Sequence, residues 1–231
     1  MKIGIIGAMA EEVASLQLSL AGVKSFEDGG AKFYQGHYAG HEVYLVQSGI
    51  GKVAAAVTAS VLLAKYQVDI LINTGSAGGI GSGLNIGDIV LAKKLAYHDV
   101  DVTAFGYRYG QMAGGFPLYY ETDENLLNQA NKVMEKMTET KIHQGLIVSG
   151  DQFVHDEQTI KQIKEHFPDA LANEMESTAI AQVAYQFSIP VLIVRAISDT
   201  ADSNANVDFD SFIKEAGRKS AEFVCELLKV L

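Results

Sequence analysis

The run Val191-Leu192-Ile193-Val194-Arg195-Ala196-Ile197 gives a strand almost no polar face, and similar apolar runs recur between helical stretches along the chain. A strand that is apolar on both sides must be covered on both sides, which calls for a sheet with helices against its two faces. Extended runs are expected at 2–6, 70–74, 89–92, 95–99, 142–149, 170–173 and 191–197. They alternate with helical patterns at about 11–20, 52–66, 123–136, 157–166, 177–187 and 209–230. Segments 33–38 and 42–47 flank Ala39-Gly40-His41 as a hairpin. The pattern predicts an α/β fold with a central mixed, twisted sheet flanked by helices. The 231 residues fit one large domain, 1–231, since no repeat, low-complexity stretch or linker divides them.

Composition excludes several function classes. A formal net charge of -10 repels phosphate backbones, so neither nucleic acid nor an anionic membrane surface is an expected partner. Cys225 is the only cysteine, which rules out an intrachain disulfide and any multi-cysteine metal site, and it is expected as a small buried apolar residue of the last helix. The 6 histidines show no metal-ligand spacing, and no Gly-x-Ser-x-Gly elbow is present. No metal and no cofactor is therefore expected. The opening apolar run is too short for a secretory signal, because Glu11-Glu12 follow at once, and 53–64 is well short of a bilayer span. A soluble, cytoplasmic protein is the expectation.

In sheets of this class, ligands gather where loops leave the carboxyl ends of strands. The segments in question are 7–12, 47–51, 74–83, 149–155, 174–176 and 198–203, all rich in glycine, hydroxyl or acidic residues. Gly7-Ala8-Met9-Ala10-Glu11-Glu12 opens like a dinucleotide site but lacks the full glycine fingerprint and places acids in the first helical turn, where they also suit the helix dipole. Ser48-Gly49-Ile50-Gly51 and Gly75-Ser76-Ala77-Gly78 are tight turns or ligand loops, and neither has Walker spacing. Phe153, after Ser149-Gly150-Asp151-Gln152, is either a core aromatic or a platform for a flat heterocycle. Glu174 and Glu176 face the same way in an extended segment, as helix-start carboxylates or as a pair for vicinal sugar hydroxyls. Arg195, inside an apolar strand, needs a carboxylate nearby. That strand delivers Ser198-Asp199 where catalytic acids sit in α/β enzymes.

These pieces, in this order, resemble the bacterial 5′-methylthioadenosine/S-adenosylhomocysteine nucleosidases of the purine nucleoside phosphorylase superfamily. The matching stretches are Gly4-Ile5-Ile6-Gly7-Ala8-Met9 with Glu11-Glu12, Gln47-Ser48-Gly49-Ile50-Gly51-Lys52, and Asn73-Thr74-Gly75-Ser76-Ala77-Gly78. Further on come Thr103-Ala104-Phe105-Gly106-Tyr107, Val148-Ser149-Gly150-Asp151, Glu174-Met175-Glu176, and Arg195-Ala196-Ile197-Ser198-Asp199. The resemblance covers essentially the whole chain and implies a nucleoside phosphorylase-like fold. It implies Glu12 as the base that activates water and Asp199 as the acid that protonates the purine's five-membered ring. Glu176 would hold the ribose hydroxyls beside the Met175 backbone. Phe153 would stack on adenine and the Val154 backbone would bond its edge. Ser76, Gly78 and Arg195 would line the ribose and water region, with Ser198 beside the acid; Met9, Ile50 and Phe209 would face the alkylthio group. Val102 and Phe105 would reach into a partner subunit's pocket, implying a homodimer. The sequence departs from the family pattern at Ala10, where an acid is frequent, and at Ala113, where a proline often lines the 5′ pocket.

Two other readings are kept beside this one. A phosphate-dependent nucleoside phosphorylase would need a cationic pocket, and the candidate loops supply only Arg195. A non-catalytic nucleoside-binding protein would leave Glu12 and Asp199 together unexplained.

Overall fold

The structure, a computed structural model, describes residues 1–200 and 205–231, and for 205–208 the backbone alone. In chain order the elements are β1 (Lys2–Gly7), α1 (Ala10–Ser19), β2 (Ala21–Asp28), β3 (Ala31–Tyr38), β4 (His41–Gln47), α2 (Lys52–Ala64), β5 (Ile70–Gly79) and β6 (Ile89–Tyr97). They continue with β7 (Tyr120–Glu121), α3 (Glu124–Met134), β8 (Ile142–Ser149), α4 (Glu157–His166), β9 (Ala170–Glu174), α5 (Ser177–Phe187), β10 (Val191–Asp199) and α6 (Ala205–Leu228).

The α/β expectation holds, and the sheet is mixed. β5, β9, β8, β6 and β10 pair in that order, and β10 also pairs with β5, so these five strands close on themselves. From β5 the sheet continues through β1, β4, β3 and β2 as an open wing. Pairing is parallel for β1 with β4 and β5, for β10 with β5, and for β8 with both neighbours, and antiparallel elsewhere. The apolar strands are covered as their composition demands. Val13 and Leu16 of α1, Ala130 of α3 and Phe223 of α6 pack on one side with Ile5, Ile72 and Val194. Ala59 and Leu62 of α2 and Ile180 of α5 pack on the other with Leu71 and Ile193. Ile163 of α4 covers β8 through Leu146 and Val148.

Helix α6 approaches α1 at a glycine. A Cβ on Gly217 would stand 2.6 Å from the Glu11 carbonyl oxygen, so the absence of a side chain lets α6 press on the turn that carries Glu12.

Several local expectations change. β2 was not foreseen, since most of it is exposed and lacks an alternating apolar face. The runs at 89–92 and 95–99 are one strand, β6, with an irregularity between Ala92 and Lys94. β5 continues through the glycine-rich stretch to Gly79 rather than ending at Thr74, because β10 pairs with it as far as Gly78 and β9 pairs with Gly78 and Gly79. Cys225 is half-buried, not fully buried.

A pocket walled by buried carboxylates

The carboxyl ends of β1, β4, β5, β8, β9 and β10 open into one pocket of about 330 Å³. The six predicted segments all contribute, although 201–203 of the last lie outside the described residues. Glu12, Asp199, Met9, Ile50, Ser76, Gly78, Phe153, Val154, Met175, Glu176, Ser198 and Phe209 all line it. Of the predicted site residues, Arg195 is absent from the lining, and Val102 and Phe105 lie elsewhere.

Glu12 sits in the first turn of α1 and is 2% exposed. Its Oε2 accepts from the Ala8 and Met9 amides at 2.7 and 3.1 Å, and its Oε1 from the Ser76 amide and hydroxyl at 2.9 and 3.0 Å. Two donors on each oxygen are what a buried carboxylate needs to offset lost hydration. Those donors come from the ends of β1 and β5, so the sheet itself aims the side chain.

Asp199 ends β10 and is 2% exposed. The register of β10 against β5 shifts between Ile197 and Asp199, and a bulge of this kind re-aims the side chain that follows it. The Ser198 hydroxyl donates to Asp199 Oδ2 at 2.8 Å.

Glu176 precedes α5, with its Oε1 accepting from the Gly51 amide at 2.8 Å. Burial raises its pKa above the ordinary carboxyl value, and the neighbouring charges of Glu174 and Glu12 add to the rise. Arg195 and the Gly51 amide oppose it. Also in the lining, Phe153 meets Phe209 edge to face at 5.7 Å, and Val154 is buried. Ile50 is 57% exposed, at the mouth.

Arg195 is fully buried behind this surface. The carboxylate expected beside it is Glu174, whose Oε2 accepts from Nη2 at 2.6 Å. Nη2 also reaches Asn73 Oδ1 at 2.6 Å and the Ser177 hydroxyl at 2.8 Å. Glu174 and Glu176 therefore do not act as a matched pair: Arg195 Nη2 is 2.6 Å from one and 3.8 Å from the other. The supporting roles of Asn73, Ser149, Ser177 and Thr178 were missed, although Asn73 in an otherwise apolar strand was a visible signal.

No lysine or arginine lines the pocket among the described residues. The neighbouring Lys52 is occupied, with Nζ 2.6 Å from Asp99 and 3.7 Å from Asp151. No cluster of histidine, cysteine, aspartate or glutamate that could hold a metal ion occurs among the described residues.

A Cβ on Gly75 would stand 2.2 Å from Arg195 Nη1 and 2.6 Å from Glu12 Oε1. Gly75→Ala is expected to displace both groups and cost about 1–3 kcal/mol of stability as overpacking. Thermal unfolding checks this; an unchanged midpoint would mean the two groups are not packed tightly against Gly75.

The Phosphorylase superfamily profile matches residues 2–229. A 5′-methylthioadenosine/S-adenosylhomocysteine nucleosidase from Listeria monocytogenes serotype 4b is 48% identical over 234 residues, covering 100% of both chains. The chain belongs to that nucleosidase family. The fold agrees. A Streptococcus pneumoniae nucleosidase bound to a transition-state inhibitor superimposes with a TM-score of 0.96 at 50% identity, covering 100% of this chain and 99% of the other. The Neisseria meningitidis nucleosidase in complex with methylthio-immucillin-A gives 0.98 at 43% identity, with coverage of 100% and 99%. The family pattern read from the sequence thus extends over the entire chain.

Proposed function

We propose that the protein hydrolyses the N-glycosidic bond of 5′-methylthioadenosine and S-adenosylhomocysteine, releasing adenine and the corresponding 5′-thioribose. The observation that carries this reading is a pocket in which Glu12 and Asp199 are both buried and in which, among the described residues, no lining cation is available for phosphate.

Cleavage leaves positive charge on the sugar and negative charge on the purine, so both sides of the bond need help. Asp199 delivers a proton to the five-membered ring of adenine as the C–N bond breaks. Glu12 takes a proton from water as its oxygen bonds to the sugar carbon. The products are neutral adenine and a free sugar. Phe153 stacks on the base, Val154 bonds its edge through the backbone, and Ser198 holds Asp199. Glu176 receives the ribose hydroxyls beside Met175, with Ser76 and Gly78 along the sugar and Arg195 behind it. Met9, Ile50 and Phe209 surround the alkylthio group. Neither a metal nor a cofactor is needed for these steps.

Adenine release from methylthioadenosine, followed with and without inorganic phosphate, tests the reading. Release at the same rate in both supports hydrolysis, and strict dependence on phosphate would make the protein a phosphorylase.

The pocket is completed by a second copy in this reading. Phe105 is 82% exposed, and Ile50, Val53 and Val57 are apolar and exposed at or near the start of α2. A homodimer would cover them and bring Val102 and Phe105 to the partner's alkylthio site. Sedimentation is expected to show a dimer, and Phe105→Ala to raise KM for methylthioadenosine several-fold with a smaller change in kcat; a monomer with full activity contradicts this. The proposal further places the protein in the cytoplasm as one domain, 1–231, in methionine salvage. Among the described residues no helix is long and apolar enough to cross a membrane.

A further inference from the structure

Glu174 was singled out beside Glu176, yet the mechanism above gives it no role. Its side chain is 4% exposed, and both oxygens already hold protein donors. Oε2 accepts from the Glu176 amide at 2.9 Å, the Ser177 amide and hydroxyl each at 2.8 Å, and Arg195 Nη2 at 2.6 Å. Oε1 accepts from the Ser149 hydroxyl, which in turn accepts from the Thr178 amide at 2.9 Å. Glu174 borders the pocket, but Oε2 with four donors has no lone pair left for a sugar hydroxyl, and Oε1 is turned to Ser149. Arg195 is arranged in the complementary way. Nε and Nη2 are engaged by Ser177, Asn73 and Glu174, while Nη1 is buried without a partner and flanks, with Glu12 Oε1, the point where a Gly75 Cβ would stand.

We infer that Glu174 is a positioning residue that sets the sugar side of the pocket without touching the ligand, fixing Glu176 through its amide and aiming the free Nη1 of Arg195 toward Glu12. The inference rests on the nucleosidase reading and deepens it. Two routes leave the same carboxylate. One is mechanical: the amides of Glu176 and Ser177 are pinned at the start of α5, so the Glu176 side chain leaves the backbone in one direction. The other is electrostatic. A buried guanidinium needs a partner charge, and by supplying it at Nη2 Glu174 leaves Nη1 unpaired beside Gly75, on the side of Glu12. The adenine side, built from Phe153, Val154 and Asp199, receives no bond from Glu174 among those described.

That asymmetry supplies the test. Glu174→Gln keeps the shape and removes the charge. Affinities for adenine and for methylthio-immucillin-A are measured on the variant and the unaltered protein, with kcat and KM for methylthioadenosine. The expected result is an adenine affinity within twofold of the unaltered protein, an inhibitor affinity reduced at least tenfold, and kcat reduced at least tenfold. The pH dependence of inhibitor binding should also move toward lower pH. Glu176 is faced by Glu174, Arg195 and Glu12, and one of the two negative neighbours that hold its proton on has gone. A purely structural role would weaken both ligands equally and leave the pH dependence in place, and that outcome overturns the inference. Should Glu174→Gln fail to fold, the comparison is read in Glu174→Asp, which keeps the charge but shortens the reach; equal losses for the two ligands again overturn it. Absence of adenine release by the unaltered protein would instead remove the nucleosidase reading, which the variant-to-parent ratios do not test.

Discussion

Asp199→Asn is expected to lower kcat by roughly 10²–10⁴-fold, the range for loss of a general acid, while KM changes only a few-fold. The asparagine amide can still donate a hydrogen bond to the purine ring nitrogen, and the Ser198 hydroxyl, 2.8 Å from Oδ2, can turn to suit either terminal atom. Ground-state binding therefore survives. What is lost is a proton that moves, a contribution made only in the transition state, and such losses fall on kcat and kcat/KM alike. In barrier terms the loss is about 3–5 kcal/mol. A variant that turns over at near-parental rate would show that adenine leaves without a proton from this residue.

Glu12→Gln is expected to be as severe for kcat and, unlike the first variant, to cost stability. Both Glu12 oxygens accept from backbone amides, Ala8 and Met9 on one and Ser76, together with its hydroxyl, on the other. A glutamine must turn its NH2 toward one of those sets, leaving buried donors opposed, at about 1–3 kcal/mol for each unsatisfied group. Water is then no longer deprotonated, and turnover should fall roughly 10²–10⁴-fold. Adenine affinity, set in the proposed mechanism by Phe153, Val154 and Asp199, should hold. Thermal unfolding, adenine titration and turnover on one preparation separate these effects. Retained turnover would exclude Glu12 as the base.

Much of the pocket could be read before any coordinates, because the residues that build it occupy strand ends and strand ends are legible. The apolar runs ending near Ile6, Gln47, Ser149 and Ile197 marked where side chains leave the sheet, and helices such as Ser177–Phe187 and Glu157–His166 matched their patterns closely. What stayed hidden was long-range. Nothing in local periodicity says that β10 pairs with both β5 and β6, so the closure of five strands was not visible. The same blindness cut β5 short: Gly75 to Gly79 looks like a loop until a partner strand provides its hydrogen bonds. β2 escaped because an edge strand exposed along most of its length carries no hydrophobic signature. In the site, the sequence marked Arg195 as needing a carboxylate, but which of two neighbouring glutamates answers depends on the turn into α5. Both line the pocket, but that turn gives the guanidinium bond to Glu174 and turns Glu176 to the Gly51 amide.

In the proposed mechanism, water activated beside Glu12 attacks the sugar carbon in a pocket with no lysine or arginine among its described lining residues. Turnover of methylthioadenosine in oxygen-18 water containing excess inorganic phosphate tests it most directly, with the sugar product weighed by mass spectrometry. The account predicts methylthioribose carrying one heavy oxygen and no sugar phosphate. Formation of methylthioribose 1-phosphate would contradict it.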